Sequence, residues 1–302
     1  MNSGCVKKSF FGCAFIFLFF VVIIIILWIA AQIPDIDLST TDSAKREYEI
    51  EVDSLNKEKV INSSFSWQFV DNTLTRRKYR VNLKLLEKDV IEAMNYIDRI
   101  SAMSYRELGL ERNYSDPEIE SRVVWAEVYR RIFLYSSPQM KAVFEGLNEI
   151  FLEEKFETRD KVYFVITFVQ NIKYDRPGGT LDLFPPIGTL AYRFGDCDSK
   201  ALLLYVILER MGVDCAMMWS YNYKHAMLGI KVNARGEYLA TNGKKYYFLE
   251  TTYPQWSIGE IPPEFGNTKF WYISEIDAGS QMNKLSDETE TQKSLKPTPS
   301  TP

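Results

Sequence analysis

Between Gly195 and Thr252 one strongly apolar helical stretch is followed by three short strand-like runs, and the only histidine of the 302-residue chain lies inside this block. The stretch Ala201, Leu202, Leu203, Val206 and Leu208 has the density of a buried helix and stops near Gly212. Runs at 213–221, 225–232 and 245–252 read as strands, with Asn242-Gly243 as the turn before the third. A helix followed by adjacent strands is expected to pack on an antiparallel sheet, an α+β arrangement. Cys197 opens the helix, His225 begins the second strand and Glu250 lies in the third. That order suits a cysteine nucleophile. A free thiol is mostly protonated at neutral pH, and an imidazole together with a helix N-terminus can convert it to a thiolate. The imidazole needs a carboxylate to fix its tautomer and steady its charge.

Upstream of this block the pattern is mainly helical. Residues 64–70 and 78–85 alternate weakly and suggest a hairpin around Asp71-Asn72. Val90, Ile91, Met94, Ile97 and Ile100 recur at helical spacing, as do Val124, Val128, Ile132 and Phe133. Ser137-Pro138 is expected to open a third helix, with Met140, Phe144, Leu147 and Phe151 on one face. Thr158 is expected to cap a fourth, running to about Lys173. A Pro- and Gly-rich loop at 175–188 separates it from the nucleophile helix. The apolar stripes read as core.

Residues Phe10 to Ala31 carry no charge, and as a helix they would span about 33 Å, enough to cross a bilayer. Lys7 and Lys8 precede the run and Asp35 and Asp37 follow it, so the N-terminus is expected in the cytoplasm and the remainder outside. A cleaved signal peptide is the alternative, although the run exceeds the usual apolar core of about 7–15 residues. The domain reading is a cytoplasmic segment 1–9, a membrane helix 10–31, a polar linker 32–60, a strand and helical region 61–154, a catalytic domain 155–278 and a disordered tail 279–302. The formal net charge of −4 argues against nucleic acid as a partner. Of the four cysteines, Cys5 and Cys13 belong to the membrane end. Cys197 and Cys215 read as unpaired, with a disulfide between them as the alternative.

The stretches Phe168-Val169-Gln170-Asn171-Ile172-Lys173-Tyr174, Gly195-Asp196-Cys197-Asp198-Ser199-Lys200-Ala201, His225-Ala226 and Tyr247-Phe248-Leu249-Glu250-Thr251-Thr252 resemble the transglutaminase-like superfamily. The likeness covers about 155–260, roughly a third of the chain, and leaves 60–150 untouched. It implies a papain-like fold, in which the nucleophile helix packs on an antiparallel sheet, and a Cys197–His225–Glu250 triad. The family usually has Asp where Glu250 stands. It also implies thiolate attack on an amide carbonyl through a thioester, with a protein or peptide substrate. Hydrolysis by a membrane-held cysteine peptidase is favoured. A crosslinking transglutaminase and a non-catalytic scaffold of the same fold remain as alternatives. The Cys197 N–H is expected to serve the oxyanion, with the Gln170 amide as a second donor or simply a solvated helix end. Trp219, Tyr221, Tyr223 and Trp256 are expected near the cleft. Some extracytoplasmic relatives use calcium, but no Asp/Asn loop of calcium spacing occurs here, so neither cofactor nor metal is expected.

The orientation can be checked directly. Protease added to intact cells or spheroplasts is expected to digest everything beyond residue 32. A C-terminal reporter active only in the cytoplasm would reverse the orientation.

Overall fold

The computed structural model describes residues 50–52, 58–110, 114, 116–274 and 276. The apolar run 10–31 and the tail 279–302 lie outside these, and no helix among the described residues is long and apolar enough to cross a membrane. The fold is α+β. Strands β1 (Ile50–Val52), β2 (Lys59–Val70) and β3 (Arg76–Leu86) form an antiparallel sheet in that order. The polar linker expected over 32–60 is therefore corrected at its end, where Ile50–Val52 pairs with Lys59–Ile61. The hairpin is also longer than its weak alternation suggested. Its turn is held by Asp71, whose carboxylate accepts from the Thr73 and Thr75 amides at 2.9 and 3.0 Å. Trp67, Phe69, Tyr79, Val81, Leu83 and Leu85 face inward, while polar or charged residues such as Arg80 and Lys84 point out.

Helix α1 (Glu87–Ser101) leaves β3 without a break and buries Val90, Ala93, Ile97 and Ile100. Ile91, read from the sequence as part of the stripe, is 44% exposed. Asp116 caps α2 (Pro117–Ser136) by accepting from the Glu118 amide. Ser137-Pro138 starts a 3₁₀ turn rather than an α-helix, and α3 begins only at Lys141, ending at Glu153. Helix α4 spans Thr158–Gln170. Thr158 is its first helical residue and no side chain caps it. The helix stops three residues short of Lys173, because Lys173–Tyr174 is drawn out as β4, parallel to β5 (Phe194–Gly195).

The short helix α5 (Pro186–Tyr192) ends on Arg193 at φ 62°, and α6 runs from Cys197 to Arg210. The second sheet has the antiparallel order β10-β6-β7-β9-β8, with β6 Cys215–Ser220, β7 His225–Ile230, β8 Tyr238–Thr241, β9 Lys244–Leu249 and β10 Tyr272–Ser274. Asn242 and Gly243, at φ 48° and 74°, make the turn into β9. The sequence reading missed β8 and β10. One is a half-exposed edge strand and the other is three residues long, so neither carries an apolar stripe.

A single apolar cluster reaches from Ile61 to Ile276, so the hairpin and first helices share a core with α6 and the second sheet. At its centre the Phe164 ring on α4 lies 4.9 Å from Trp67, 5.0 Å from Tyr79 and 5.3 Å from both Phe69 and Phe156. Phe164 is fully buried. Truncation to alanine is expected to cost about 3–5 kcal/mol, read as a lower urea midpoint. A midpoint unchanged from the native protein would show that the aromatic cluster is not part of the cooperative core.

Candidate active site

The Gly195-Asp196-Cys197-Asp198-Ser199-Lys200 segment turns from β5 into α6. Asp196 is the N-cap, and its Oδ1 accepts from the Ser199 amide at 2.9 Å and the Ser199 hydroxyl at 2.6 Å. Ser199 Oγ in turn accepts from the Phe184 amide at 2.8 Å, tying the Pro-rich loop to the helix. Gly195 packs so closely that a Cβ there would stand 2.9 Å from that of Ser199. Cys197 is thus the first residue of α6, and its N–H is among the amides left without an intrahelical acceptor.

The thiol lies in a cavity of about 470 Å³ together with His225, Asp196, Asp198, Trp219, Tyr221, Tyr129, Tyr174 of β4 and the loop residues Arg176 and Asp182. Cys197 is 6% exposed. Its Sγ is 3.4 Å from Asp198 Oδ2, and the backbone amide of Ala226 also hydrogen-bonds it. Burial, then Asp198 and Asp196, push the thiol well above its ordinary range. The thiol proton is directed at Asp198, and no hydrogen bond links Cys197 directly to His225 among the described residues. The imidazole instead meets Glu250, with Nε2 2.7 Å from Oε2. That leaves Nδ1 as the ring nitrogen available to the cavity. Phe265 stacks on the imidazole with centroids 4.4 Å apart, and Trp271 meets its edge.

Glu250 follows directly on β9 and is buried. Its Oε1 accepts from the Thr252 amide and hydroxyl at 2.8 and 2.7 Å. Burial works to raise its carboxyl, but His225 and Thr252 hold it below the usual range, so it stays ionised at neutral pH. Gln170 does not line the cavity. Its side-chain Nε2 donates to the backbone carbonyls of Glu250 and Trp256, both at 2.9 Å, so its two amide protons are spent on tying these two backbone segments to α4. The expected oxyanion role is therefore replaced by a supporting one. Trp219 does line the cavity, with Nε1 donating to Ser274 Oγ at 3.3 Å. Tyr223 lies behind the imidazole instead, against Phe265, Phe270 and Trp271. Trp256 contributes only its carbonyl to the network.

Three contributors were missed. Lys200 is fully buried, and its Nζ donates to the carbonyls of Gln170, Ile172 and Thr252 at 3.2, 2.7 and 2.8 Å. Burial pulls its amine down to about 7, against the nearby Glu250 charge. A lone lysine three residues after the thiol, in an otherwise apolar helix, was the signal. Asp198, part-buried and hydrogen-bonded to Tyr129, stood in the same motif. Phe265 had no local signal, since only the fold brings it to His225. Asp196, Cys197 and Asp198 place potential ligand atoms within 4.8 Å of one another, the one such group of three among the described residues. Their hydrogen bonds already run to Ser199, to Tyr129 and between Cys197 and Asp198.

Comparisons with protein-family models, characterised proteins and solved structures return no match for this chain.

Lys200→Met keeps the length of the side chain but strands three buried carbonyls. It is expected to cost roughly 2–3 kcal/mol, measured as a lowered urea midpoint. An unchanged or raised midpoint would mean that the relief of burying a charge outweighs the lost hydrogen bonds.

Proposed function

We propose that the chain is a thiol-dependent amidase or peptidase of transglutaminase-like, papain-like architecture. We further infer that residues 10–31 hold it at a membrane with the domain outside. The observation that carries the reaction is the pairing of His225 with buried Glu250 at 2.7 Å, in the cavity that also contains Cys197 at the start of α6. Such a pairing fixes the imidazole tautomer and leaves Nδ1 to act as base and acid.

In this reading Nδ1 of His225 takes the Cys197 proton. The thiolate attacks the amide carbon, and the carbonyl electron pair moves to oxygen. The Cys197 N–H, at the positive end of α6, stabilises that oxyanion. Collapse expels the amine, which leaves with the proton from the imidazolium. Water activated by His225 then attacks the thioester, releasing the acid and restoring the thiol. Glu250 stays ionised and orients the ring.

An amine in place of water would make the same thioester a crosslinking intermediate. The aromatic walls Trp125, Trp219 and Tyr221 favour that second reading, since they could keep water from the thioester. Arg176 and Asp182 from the 175–188 loop line the same cavity and give it a polar border that admits water, so hydrolysis is the preferred outcome.

Cys197→Ala and His225→Ala are each expected to lower amide cleavage by about 10³-fold or more, with Glu250→Gln costing less, about 10²-fold. The assay is a glutamine-containing peptide library supplied with a labelled primary amine, following both acid and amide products. Activity persisting in Cys197→Ala removes the nucleophile. Predominant amine incorporation replaces the peptidase with a transglutaminase. Absence of both products, with thiol and fold intact, leaves a non-catalytic domain.

A further inference from the structure

A second cavity, of about 720 Å³, shares no lining residue with the one around Cys197. One of its walls is an edge of β2. Strand β1 covers that edge only at Lys59–Ile61, while β3 pairs with the opposite edge from Val60 to Val70 without a bulge. The Asp71 amide bonds to the Thr75 carbonyl, on the β3 side. Odd-numbered residues of β2 therefore aim their backbone groups at β3, and even-numbered residues aim theirs away. The next even residue, Asn72, agrees: its amide reaches Asp160 on α4 at 3.1 Å. Ser64, Ser66, Gln68 and Val70 thus present amides and carbonyls to the open edge, and among the described residues no backbone group pairs with them there. The other wall is a flank of α4 and its C-terminal end, where Arg159, Tyr163, Thr167 and Asn171 follow one another at four-residue spacing. The edge from Ser64 to Val70 is about 20 Å long and the helix flank about 18 Å, so the two walls match in length.

An open strand edge is ordinarily blunted by charge, by proline or by a bulge. From Val60 to Val70 there is no charged residue and no proline, and the register with β3 is unbroken. At the turn end of the groove Val70 and Leu74 are 42% and 85% exposed, which adds apolar surface. The charge of the lining states what fits. Arg76, Lys78 and Arg159 line the groove, and none of them forms an ion pair among the described residues. The two carboxylates of the lining are already engaged, Asp71 by the Thr73 and Thr75 amides and Asp160 by the Asn72 amide.

We propose that the groove between β2 and α4 docks an extended acidic segment of another protein, which adds a strand to the open edge at Ser64–Val70. Main-chain hydrogen bonds to Ser64, Ser66, Gln68 and Val70 hold the segment. Its side chains alternate between two faces. Acidic groups on one face meet Arg76 and Lys78, and those on the other meet Arg159. The docking surface is separate from the Cys197 cavity and does not depend on the chemistry assigned there.

The probe is a fluorescein-labelled peptide of about eight residues with alternating glutamate and threonine, titrated into the full chain and followed by fluorescence anisotropy. Saturable binding that weakens with added salt is expected. The same peptide with lysine in place of glutamate is expected to bind at least about tenfold more weakly. Ser66→Pro removes one N–H that β3 does not use, so the urea midpoint should hold while binding falls about tenfold, the worth of one hydrogen bond. Arg76→Glu combined with Lys78→Glu is expected to reverse the preference toward the lysine peptide, and it decides the matter if Ser66→Pro does not fold. Amide hydrogen exchange reads the edge itself. The Ser64, Ser66, Gln68 and Val70 amides are expected to exchange freely in the full chain alone and to slow when the glutamate peptide is bound. No saturable binding, equal binding of both peptides, or native binding by folded Ser66→Pro overturns the proposal. So does protection of those four amides before peptide is added, which would show the edge already covered by the chain itself or by a second copy.

Discussion

The ammonium of Lys200 is the tie on which the site depends. It gathers the Gln170 and Ile172 carbonyls at the end of α4 and the Thr252 carbonyl just beyond β9, two segments about eighty residues apart in sequence. The lysine sits one turn along α6 from Cys197, so it fixes that helix to the strand end that carries Glu250. Gln170 completes the joint by donating to the Glu250 and Trp256 carbonyls. The backbone of Glu250 is therefore clamped while its carboxylate is free to hold His225. A buried ammonium is costly to desolvate, and three convergent carbonyls offset that cost only while both segments are in place. This is how a remote packing defect could reach the imidazole: by loosening the carbonyl cluster rather than by touching His225 or Glu250.

Charge within the cavity has a direction. Asp196, Asp198 and Asp182 line the cavity with the thiol, while Glu250 is bonded to the imidazole and does not line it. A negative surround opposes a thiolate, and the positive end of α6 and the imidazole oppose that surround. Arg176 pairs with Asp182 and removes part of the negative charge at the loop. The remaining negative charge is concentrated on the two carboxyls that flank Cys197, Asp196 buried and Asp198 part-buried.

The order Cys197, His225, Glu250 was legible because each residue sits at the boundary of a regular element: a helix start, a strand start and a strand end. Local periodicity finds such boundaries. The α+β layout followed from the same cues, as did the hairpin around Asp71. Gln170 was misread because a glutamine at a helix end looks alike whether it faces solvent or a buried carbonyl, and the partner lies eighty residues away. Tyr223 was misread because the residues of a loop between two strands have no period to assign their sides. It turned toward Phe265 and Trp271 rather than toward the thiol. The third helix started late because proline at the head of a helix is compatible with either a 3₁₀ turn or an α-helix, and only packing chooses between them.

What fixes the imidazole is two perpendicular constraints rather than one. Glu250 restrains the ring in its own plane through Nε2, and Phe265 restrains it face-on by stacking at 4.4 Å. A hydrogen bond alone permits rotation about the N···O axis, and a stacked ring alone permits sliding and a flip that would exchange the two nitrogens. Together they leave one orientation, with Nε2 on the carboxylate and Nδ1 toward the cavity. The register of β7 supplies the rest. His225 pairs with Ser220 and Ala226 with Trp219, so the residue following His225 directs its amide to the sulfur while Trp219 walls the cavity. One strand thus positions both the imidazole and a hydrogen bond to the Cys197 sulfur. A slip of one residue would turn His225 to the opposite face of the sheet and remove both at once.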